Sequence, residues 1–296
     1  RRSPRVAYVA CVGSPQKPSS AFARIYSRRA RTSGVPSIDS DHVRIDTDGP
    51  RADVVITRPE KRNALSHEAV RDLTEAFNIV DEAEGVRAVA FVGEGRVFCA
   101  GFDLEMMYEN DVSDHDELHT DFGELLDTID AMTTPTVAGV KRAGIAGGFE
   151  LTLPCDFRVL GESAKYGVIE VDLGIFPHQG STQRLPRLVG LAKAKEMVLT
   201  GEFVDPVEAD RINLVTEVAP TDEVDARARD LADELTEKAP LGVQNALTAF
   251  QHTFDAPLDA GLDYEHALAM DVYGSDDRKE GFEAQLEGRD PEFSGE

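Results

Sequence analysis

Residues 142–159 read RAGIAGGFELTLPCDFRV and place a carboxylate, Glu150, inside a glycine-rich and largely apolar run. An unpaired buried charge is costly, so chains usually avoid this arrangement. The preceding stretch TVAGV is predicted to be a strand. The loop after it contains Gly147 and Gly148, which allow the main chain to turn tightly and to approach a ligand. A helix is predicted to follow, with Glu150 in its first turn and Pro154 helping to end it. Its first amides suit a developing negative charge; alternatively, Glu150 only complements the helix dipole and faces water.

Two further stretches add chemistry to the first. GRVFCAGFDLEMM, residues 95–107, ends an apolar strand in small residues and continues as a predicted helix from about Asp103. It delivers the backbone amide of Phe102 to the end of that strand, so that two turns can hold one oxyanion from both sides. KYGVIEVDLGIFP carries Glu170 between two apolar residues. Glu150 and Glu170 are therefore a candidate pair of general acid and base.

The chain is strongly acidic. Its 296 residues include 31 Lys and Arg against 55 Asp and Glu, a formal net charge of −24. Residues 1–38 hold eight basic residues and no acidic one, so residues 39–296 carry 23 basic and 55 acidic residues, a charge of −32. Because acidic residues are spread along the chain, we predict a halophilic protein built for high salt, with a cationic partner as the alternative. Nucleic acid is an unexpected partner, since phosphate contacts need basic faces.

The sequence pattern divides the chain into three parts. Residues 1–38 form a basic arm rich in Ser and Pro, interpreted as upstream sequence that is not native, with a disordered arm or a targeting peptide as alternatives. Residues 39–235 alternate strand and helix patterns, and residues 236–296 carry helical patterns alone. An α/β core with a helical tail is therefore predicted. No apolar run reaches the length of a membrane span, so no membrane partner is expected.

Six motifs resemble, in the same order, those of the enoyl-CoA hydratase/isomerase (crotonase) family. RPEKRNALS is similar to its first CoA-contacting loop, and DDRKEGFEAQLEGRDPEF to its C-terminal helix. Between them, FCAGFDL, GIAGGFELTLPCDFRV, YGVIEVDLGIFP and STQRLPRLVGLAKAKEMVLTG are similar to its successive core signatures. The resemblance covers roughly residues 41–296. It implies a crotonase-like spiral of ββα units, with a C-terminal helical region that builds trimers, often paired into hexamers.

The resemblance also implies a reaction. The two amides of the family's oxyanion hole fall on Phe102 and Gly147, and the two glutamates with which its hydratases grip a water fall on Glu150 and Glu170. The chain is thus expected to hydrate a 2-trans-enoyl-CoA to a 3-hydroxyacyl-CoA, as in the β-oxidation of fatty acids. No metal or redox cofactor is expected, because CoA arrives on the substrate. The alternatives are a Δ3,Δ2-enoyl-CoA isomerase, an acyl-CoA thioester hydrolase and, outside the enzymes, an RNA-binding relative.

Further positions are expected to contact the substrate or its CoA part: Lys61, Arg62, Ala64, Ala100, Gly101, Asp103, Gly148 and His178. Lys61 and Arg62 either meet the CoA phosphates or form a solvated pair. By resemblance, Ala64 offers a backbone contact to the adenine part. Asp103 either caps a helix or takes part in catalysis. Arg289 either reaches CoA or is a solvated helix charge.

One departure from the family pattern concerns His178. The stretch Pro177-His178-Gln179-Gly180-Ser181 stands where the family's hydratases usually carry a glycine-rich turn near the catalytic water. His178 adds bulk and a titratable group there. It is either an added catalytic or substrate contact or a loop residue without consequence, and it leaves isomerase or hydrolase activity open.

Rival kinds of site find little support. His115 and His119 stand four residues apart beside Asp and Glu, on a helix predicted to be exposed, so a metal site is not expected there. Cys11, Cys99 and Cys155 are far apart and odd in number, which fits neither a disulfide framework nor a paired zinc site and indicates the cytoplasm. Cys99 is predicted to be a small core residue.

Overall fold

The structure is a computed structural model that describes residue 34 and residues 36–296. The predicted basic arm of residues 1–38 therefore lies almost entirely outside the described residues. None of the helices in the described part of the chain is both long enough and apolar enough to cross a membrane.

The strands of the described residues form one six-stranded and one two-stranded sheet. They are β1 (Val43–Asp48), β2 (Arg51–Ile56), β3 (Ala88–Gly93), β4 (Thr136–Val140), β5 (Ala143–Ile145), β6 (Phe157–Gly161), β7 (Lys165–Gly167) and β8 (Glu217–Ala219). The large sheet has the order β1-β2-β3-β4-β6-β8, and its neighbours pair in parallel except for the antiparallel pair β1–β2. The small sheet is the parallel pair β5–β7. The stretch HVRIDTDGPRADVVITRP predicts two short strands around an Asp-Gly-Pro turn, and the antiparallel pair β1–β2 confirms this prediction.

The helices of the described residues first connect the strands and then continue alone as far as Glu287. They are α1 (His67–Glu82), α2 (Leu104–Glu109), α3 (Val112–Asp130), α4 (Gly147–Glu150), α5 (Leu185–Val189), α6 (Leu191–Thr200), α7 (Pro206–Arg211), α8 (Val224–Thr236), α9 (Pro240–Phe250), α10 (Leu258–Tyr273) and α11 (Asp276–Glu287). Short 3-10 helices span Pro59–Lys61 and Glu170–Leu173. This order confirms the predicted α/β core with a helical tail.

Both faces of the large sheet are covered. On β3, Phe91 belongs to a large core that includes residues of α1 and α3, whereas Val92 belongs to a second core that includes residues of α8. Helix α8 lies close to the sheet because small residues meet there: a Cβ added to Gly139 would be 3.1 Å from that of Ala228. A strand buried on both faces reads as a continuous apolar run, which is how the sequence around β3 reads.

Helices α1 and α3 present the apolar stripes that their periodicity predicts. Helix α1 begins after Ser66, whose hydroxyl accepts a hydrogen bond of 3.2 Å from the amide of Ala69, as expected of an N-cap. The predicted stripe residues of both helices are buried: Val70, Leu73, Phe77, Val80, Leu118, Phe122, Leu125 and Ile129. These contacts fix the two helices against the sheet.

Two local predictions around residues 142–159 are wrong. The predicted loop before Gly147 contains β5, because its main chain pairs with β7 on one side and with Cys99 on the other. The predicted helix ends at Glu150 and is followed by turns. The buried guanidinium of Arg158 donates to the main-chain carbonyls of Thr152 (3.1 Å) and Cys155, which satisfies acceptors that a continuing helix would use.

Candidate active site

The segment after β3, residues 99–103, is pinned between two stretches of chain. On one flank Cys99 pairs with β5: its amide donates to Ala143 (3.1 Å) and its carbonyl accepts from Ile145 (3.2 Å). On the other flank Leu65 forms an isolated parallel bridge to the segment. Because parallel strands end at one edge of a sheet, residues following β3 and β4 meet here.

The amide of Phe102 points toward the β5 flank. The carbonyl of Gly101, in the same peptide unit, accepts a hydrogen bond of 2.8 Å from the amide of Leu65. The N–H and C=O groups of a planar trans peptide point in opposite directions, so the Phe102 N–H is directed away from Leu65. It donates to no main-chain carbonyl of the described residues.

The amide of Gly147 points out of the start of α4. The carbonyl of Ala146 accepts hydrogen bonds from the amides of Phe149 (2.9 Å) and Glu150 (3.0 Å), so the N–H of the same peptide faces away from the helix. Ala146 adopts φ 53° and ψ −123°, a backbone conformation that costs a residue other than glycine on the order of 1–3 kcal/mol. Its own amide donates to Gly167 (3.0 Å), which holds this conformation.

The two amide-bearing turns lie directly against each other. A Cβ added to Gly101, whose φ is +93°, would lie 2.8 Å from the carbonyl oxygen of Ile145 and 3.6 Å from the amide nitrogen of Gly147. A Cβ added to Gly148 would lie 2.5 Å from the carbonyl oxygen of Cys99. Carbon and oxygen do not approach so closely, so a side chain at either glycine would push the turns apart.

Glu150 is buried, with 3% of its surface exposed. Its Oε1 atom accepts hydrogen bonds from the amide of Gln179 (3.0 Å), the amide of Ser181 (3.2 Å) and the hydroxyl of Ser181 (2.9 Å). Burial raises the pKa of Glu150 above its usual value, while these three bonds and the positive charge of Arg184 oppose the rise. The alternative in which Glu150 faces water is therefore wrong.

Glu170 begins the second 3-10 helix and is also buried, with 7% of its surface exposed. Burial, and after it repulsion from the charge of Glu150, raises the pKa of Glu170 to about 7. The two carboxyl groups are thus close enough to influence each other. The Oε2 atom of Glu170 has no hydrogen-bond partner among the described residues. Such a carboxyl can exchange a proton near neutral pH and has an oxygen free to contact a substrate or water.

Packing behind α4 braces the turn that carries Glu150. The hydroxyls of Thr152 and Tyr166 share a hydrogen bond of 2.6 Å, and both side chains are buried. The carbonyl of Tyr166 accepts from the amide of Val204 (2.9 Å). The Glu150 carboxylate is therefore presented from a rigid base.

His178 lies on the turn after Pro177 and contacts two histidines of α3. Its half-buried ring stacks on that of His119, with centroids 4.4 Å apart and planes 18° apart, and lies 5.4 Å from that of His115. Its charge lowers the pKa of Glu170, which places it near the carboxyl pair. The three histidines line an open cleft of about 780 Å³. The α3 histidines, predicted to be exposed, are half-buried because the turn after Pro177 covers them.

The predicted CoA-contacting loop precedes α1. Lys61 is half exposed, and its ammonium lies 3.1 Å from the carboxylate of Glu105 and 3.9 Å from that of Asp103. Arg62 is exposed at φ 56°, and its carbonyl accepts a hydrogen bond from the amide of Ala100 (3.2 Å). The structure therefore attaches this loop to the turn that carries Phe102.

Two residues of the same loop were not singled out by sequence analysis. Arg58 donates a hydrogen bond to the main-chain carbonyl of the buried residue Ala64. The fully buried amide of Asn63 donates to the carbonyls of Glu94 and Val97, both at 2.9 Å. The stretch RPEKRNALS contains no local pattern that predicts these contacts, because they depend on where β3 ends in the folded chain.

Three further residues considered in the sequence analysis make structural contacts. Asp103 caps α2, since its carboxylate accepts from the amide of Glu105 (3.1 Å). Arg289 pairs with Glu280 and Glu287 in the helical tail. Cys99 is fully buried, and burial raises the pKa of its thiol to about 12, as expected of a core residue.

Sequence analysis also missed the polar residues that hold Glu150. Gln179 and Ser181 supply its three hydrogen bonds, and the Gln179 side chain contacts His119. The one available signal was the polar stretch that replaces a glycine-rich turn. In the described part of the chain no three His, Cys, Asp or Glu side chains are grouped so that they could hold a metal ion.

Comparisons with known proteins show which family the chain resembles. The sequence model described as Enoyl-CoA hydratase/isomerase matches residues 51–296. Probable enoyl-CoA hydratase echA8 of Mycobacterium bovis is 33% identical over 241 residues, which cover 81% of this chain and 93% of that protein. The 2,3-dehydroadipyl-CoA hydratase of Escherichia coli K12 is 34% identical over 242 residues, which cover 82% and 94%.

A crystal structure of an enoyl-CoA hydratase has a similar fold. The enoyl-CoA hydratase of Bacillus anthracis matches with a TM-score of 0.83 at 30% identity, covering 86% of this chain and 100% of that one. The predicted crotonase-like α/β fold class is confirmed, whereas the role of the tail in oligomerisation stays a prediction. The chain belongs to the enoyl-CoA hydratase/isomerase family.

Proposed function

We propose that the protein is an enoyl-CoA hydratase, which adds water across the double bond of a 2-trans-enoyl-CoA to give a 3-hydroxyacyl-CoA. One observation carries the proposal: two buried glutamates with raised pKa values lie close to each other, in a site that also holds two main-chain amides without a main-chain acceptor among the described residues. Family membership and the names of the relatives support the same reaction.

The amides of Phe102 and Gly147 are proposed to bind the thioester carbonyl oxygen. That oxygen gains negative charge as the thioester becomes an enolate, and donors already in place stabilise this charge without rearranging. Removing one such donor typically lowers kcat by about 10²–10³. The contact between the two turns keeps both donors in position.

The two glutamates receive different roles. Glu150 accepts three hydrogen bonds on one oxygen, which favours its charged form, so it takes a proton from water as the water oxygen bonds to Cβ. Glu170, with a pKa of about 7, gives its proton to Cα, where the electron pair of the double bond forms the new C–H bond. One water is consumed, and proton exchange with solvent restores both carboxyls.

The remaining expected contacts complete a binding model for the substrate. Lys61 and Arg62 are proposed to meet the CoA phosphates, and the backbone of Ala64 to meet the adenine part. Ala100, Gly101 and Gly148 line the thioester with main chain only. The proposed steps use carboxyls and amides, and CoA is part of the substrate, so no separate cofactor is invoked.

One observation favours a second candidate, a Δ3,Δ2-enoyl-CoA isomerase. A single carboxyl with a pKa near 7, such as Glu170, can remove a proton from one carbon and return it to another. Such an enzyme would not need the charged form of Glu150. We prefer the hydratase assignment because three hydrogen bonds to Oε1 of Glu150 favour its charged form, which hydration uses.

The test is incubation with crotonyl-CoA, followed by the loss of the enoyl-thioester absorbance. A hydratase consumes that absorbance and forms 3-hydroxybutyryl-CoA without releasing a free thiol. An isomerase leaves the absorbance unchanged, and a thioester hydrolase releases CoA thiol. Unchanged absorbance with an active-enzyme control in parallel would reject the hydratase assignment.

We further propose that the protein works as a cytoplasmic homotrimer or hexamer. Helices α9–α11 and their connections expose large apolar side chains that a partner surface would cover: Phe250, Phe254, Leu258, Leu262, Met270, Tyr273, Phe282 and Leu286. Light scattering after gel filtration measures the mass, and a monomer would contradict the assembly. The buried free thiols of Cys99 and Cys155 suit a reducing compartment.

A further inference from the structure

The turn after Pro177 sets the position of the Glu150 carboxylate. Two of the three hydrogen bonds to Glu150 come from the main chain of this turn, at Gln179 (3.0 Å) and Ser181 (3.2 Å). A displacement of the turn therefore displaces the donors that favour the charged form of Glu150 and orient its carboxylate. What fixes the turn is consequently part of how Glu150 acts.

The side chain of Gln179 ties this turn to α3. Its Nε2 atom lies 2.6 Å from Nδ1 of His119 and 2.5 Å from the main-chain oxygen of His119. The amide group also lies against Gly123, where an added Cβ would be 3.5 Å from its Oε1 atom. Helix α3 is held in the core by buried residues such as Leu118 and Phe122, so it is a firm anchor.

This tie works with one protonation state of His119. The main-chain oxygen of His119 can only accept, so the Gln179 group that faces it must be the NH₂. The same NH₂ then donates to Nδ1, which must carry no proton. Protonated His119 would present an N–H to an N–H, and turning the amide over would set its oxygen against the main-chain oxygen.

Other titratable groups face His119 from two elements. The ring of His178, on the turn, stacks on it at 4.4 Å, and His115 and Asp116 stand near it on α3. Burial, followed by the charges of His178 and His115, lowers the pKa of His119, while Asp116 raises it. The surroundings therefore favour the neutral form that the tie requires.

We propose that Gln179 and His119 are positioning residues for Glu150, joined in a bridge that holds only while His119 is neutral and that releases the Glu150 turn in acid. The inference rests on the proposed hydratase function. It concerns a turn in which this chain departs from the family's glycine-rich pattern.

Three variants test the bridge. His119→Asn keeps an acceptor oxygen near the place of Nδ1 but cannot titrate, and His119→Phe keeps the stacked ring but removes the acceptor. His115→Asn is the matched control, because His115 lies on the same helix and makes no hydrogen bond to Gln179. For each protein, kcat and KM for crotonyl-CoA are measured as a function of pH.

The expected pattern separates positioning from a purely structural role. His119→Phe lowers kcat about tenfold at alkaline pH with little change in KM, the effect expected for one lost hydrogen bond. His119→Asn keeps kcat at alkaline pH and shifts the acid limb of the kcat profile to lower pH. His115→Asn keeps kcat at alkaline pH, and because the charge of His115 lowers the pKa of His119, its loss moves the acid limb only toward higher pH, opposite to His119→Asn. Wild-type values in His119→Phe would overturn the proposal.

A second measurement does not depend on activity. Hydrogen exchange of the peptide that contains residues 178–181 reports whether the amides of Gln179 and Ser181 stay bonded to Glu150. Protection should fall in His119→Phe and persist in His119→Asn and His115→Asn. If wild type fails to hydrate crotonyl-CoA, the proposed function is wrong, and exchange still decides the bridge: unchanged protection in His119→Phe overturns it.

Discussion

The hydroxyl of Ser181 donates a hydrogen bond of 2.9 Å to Oε1 of Glu150, the same oxygen that accepts two main-chain amides. Each of these donors favours the ionised form of the carboxylate and so opposes the rise in pKa that burial causes. The protonation of Glu150 therefore depends on the turn after Pro177, in which sequence analysis singled out only His178.

Replacing Ser181 by alanine tests this relationship. Ser181→Ala removes one donor to the charged form of Glu150, so the pKa of Glu150 should rise and the acid limb of the kcat profile should move to higher pH. We expect kcat at neutral pH to fall by up to about tenfold, as for one hydrogen bond to a charged group. Ser163→Ala is the control, since that hydroxyl bonds to Thr221. A pH profile identical to wild type in Ser181→Ala would contradict the assignment.

Glu170 should reduce the stability of the protein at alkaline pH. Its pKa of about 7 in the folded state lies above the ordinary glutamate value of about 4.3, so between these pH values the folded state binds more protons than the unfolded state. Stability then falls as pH rises through this window. Glu170→Gln should be more stable than wild type by on the order of 2 kcal/mol at about pH 8 and indistinguishable at about pH 4.

Denaturant unfolding at both pH values measures this difference. The matched control is Glu109→Gln, at an exposed glutamate on α2, which should change stability equally at both pH values. If the difference in the free energy of unfolding between Glu170→Gln and wild type does not depend on pH, the pKa of Glu170 is not raised in the folded state, which contradicts its proposed role.

The contact between the two amide-bearing turns predicts the effect of a single methyl group. In Gly148→Ala the new Cβ would meet the carbonyl oxygen of Cys99 at 2.5 Å, so the turns must separate. Overpacking of this kind costs about 1–3 kcal/mol, and misplacing an oxyanion donor should lower kcat by about 10² or more. Gly261→Ala, on α10 with open space around it, should keep wild-type activity. Wild-type kinetics in Gly148→Ala would show that the close contact is unnecessary.

The acidic body predicts a dependence on salt. Residues 39–296 hold 23 basic and 55 acidic residues, so most carboxylates face net repulsion that dissolved ions screen. Lowering the KCl concentration should lower the thermal midpoint by about 2–4 °C for each kcal/mol of lost stability. A midpoint that is the same in dilute buffer and in concentrated KCl would contradict the halophilic prediction. Sucrose at matched water activity is the control for effects unrelated to charge.

Periodicity and turn chemistry predicted most of the fold. The apolar stripe and Ser66 cap of α1 depend on residues within one helix, so their pattern is visible in the sequence. The paired strands around Gly49 are local in the same way. So is the stretch LAKAKEMVLTG, which predicts a helix that ends at Gly201, as α6 does. Strand β5 was missed because it exists only through pairing with β7 and Cys99, which are distant in sequence.

The parts of the candidate site that main-chain turns form were predictable from the sequence. Glycine-rich turns identified the neighbourhoods of Phe102 and Gly147, and apolar flanks identified Glu150 and Glu170. The bridge from Gln179 to His119 joins residues 60 positions apart, and no local pattern signals such a contact. The high pKa of Glu170 likewise depends on burial and on Glu150, which only the folded chain brings near.

The most direct test of the central claim is the hydration of crotonyl-CoA by wild type, Glu150→Gln and Glu170→Gln, with circular dichroism to confirm folding. Wild type is predicted to consume the enoyl-thioester absorbance, and each variant to lose at least about 10²–10⁴ in kcat while keeping the wild-type fold. Full turnover by both folded variants would contradict the account, because the two buried carboxyls would then play no part in the reaction.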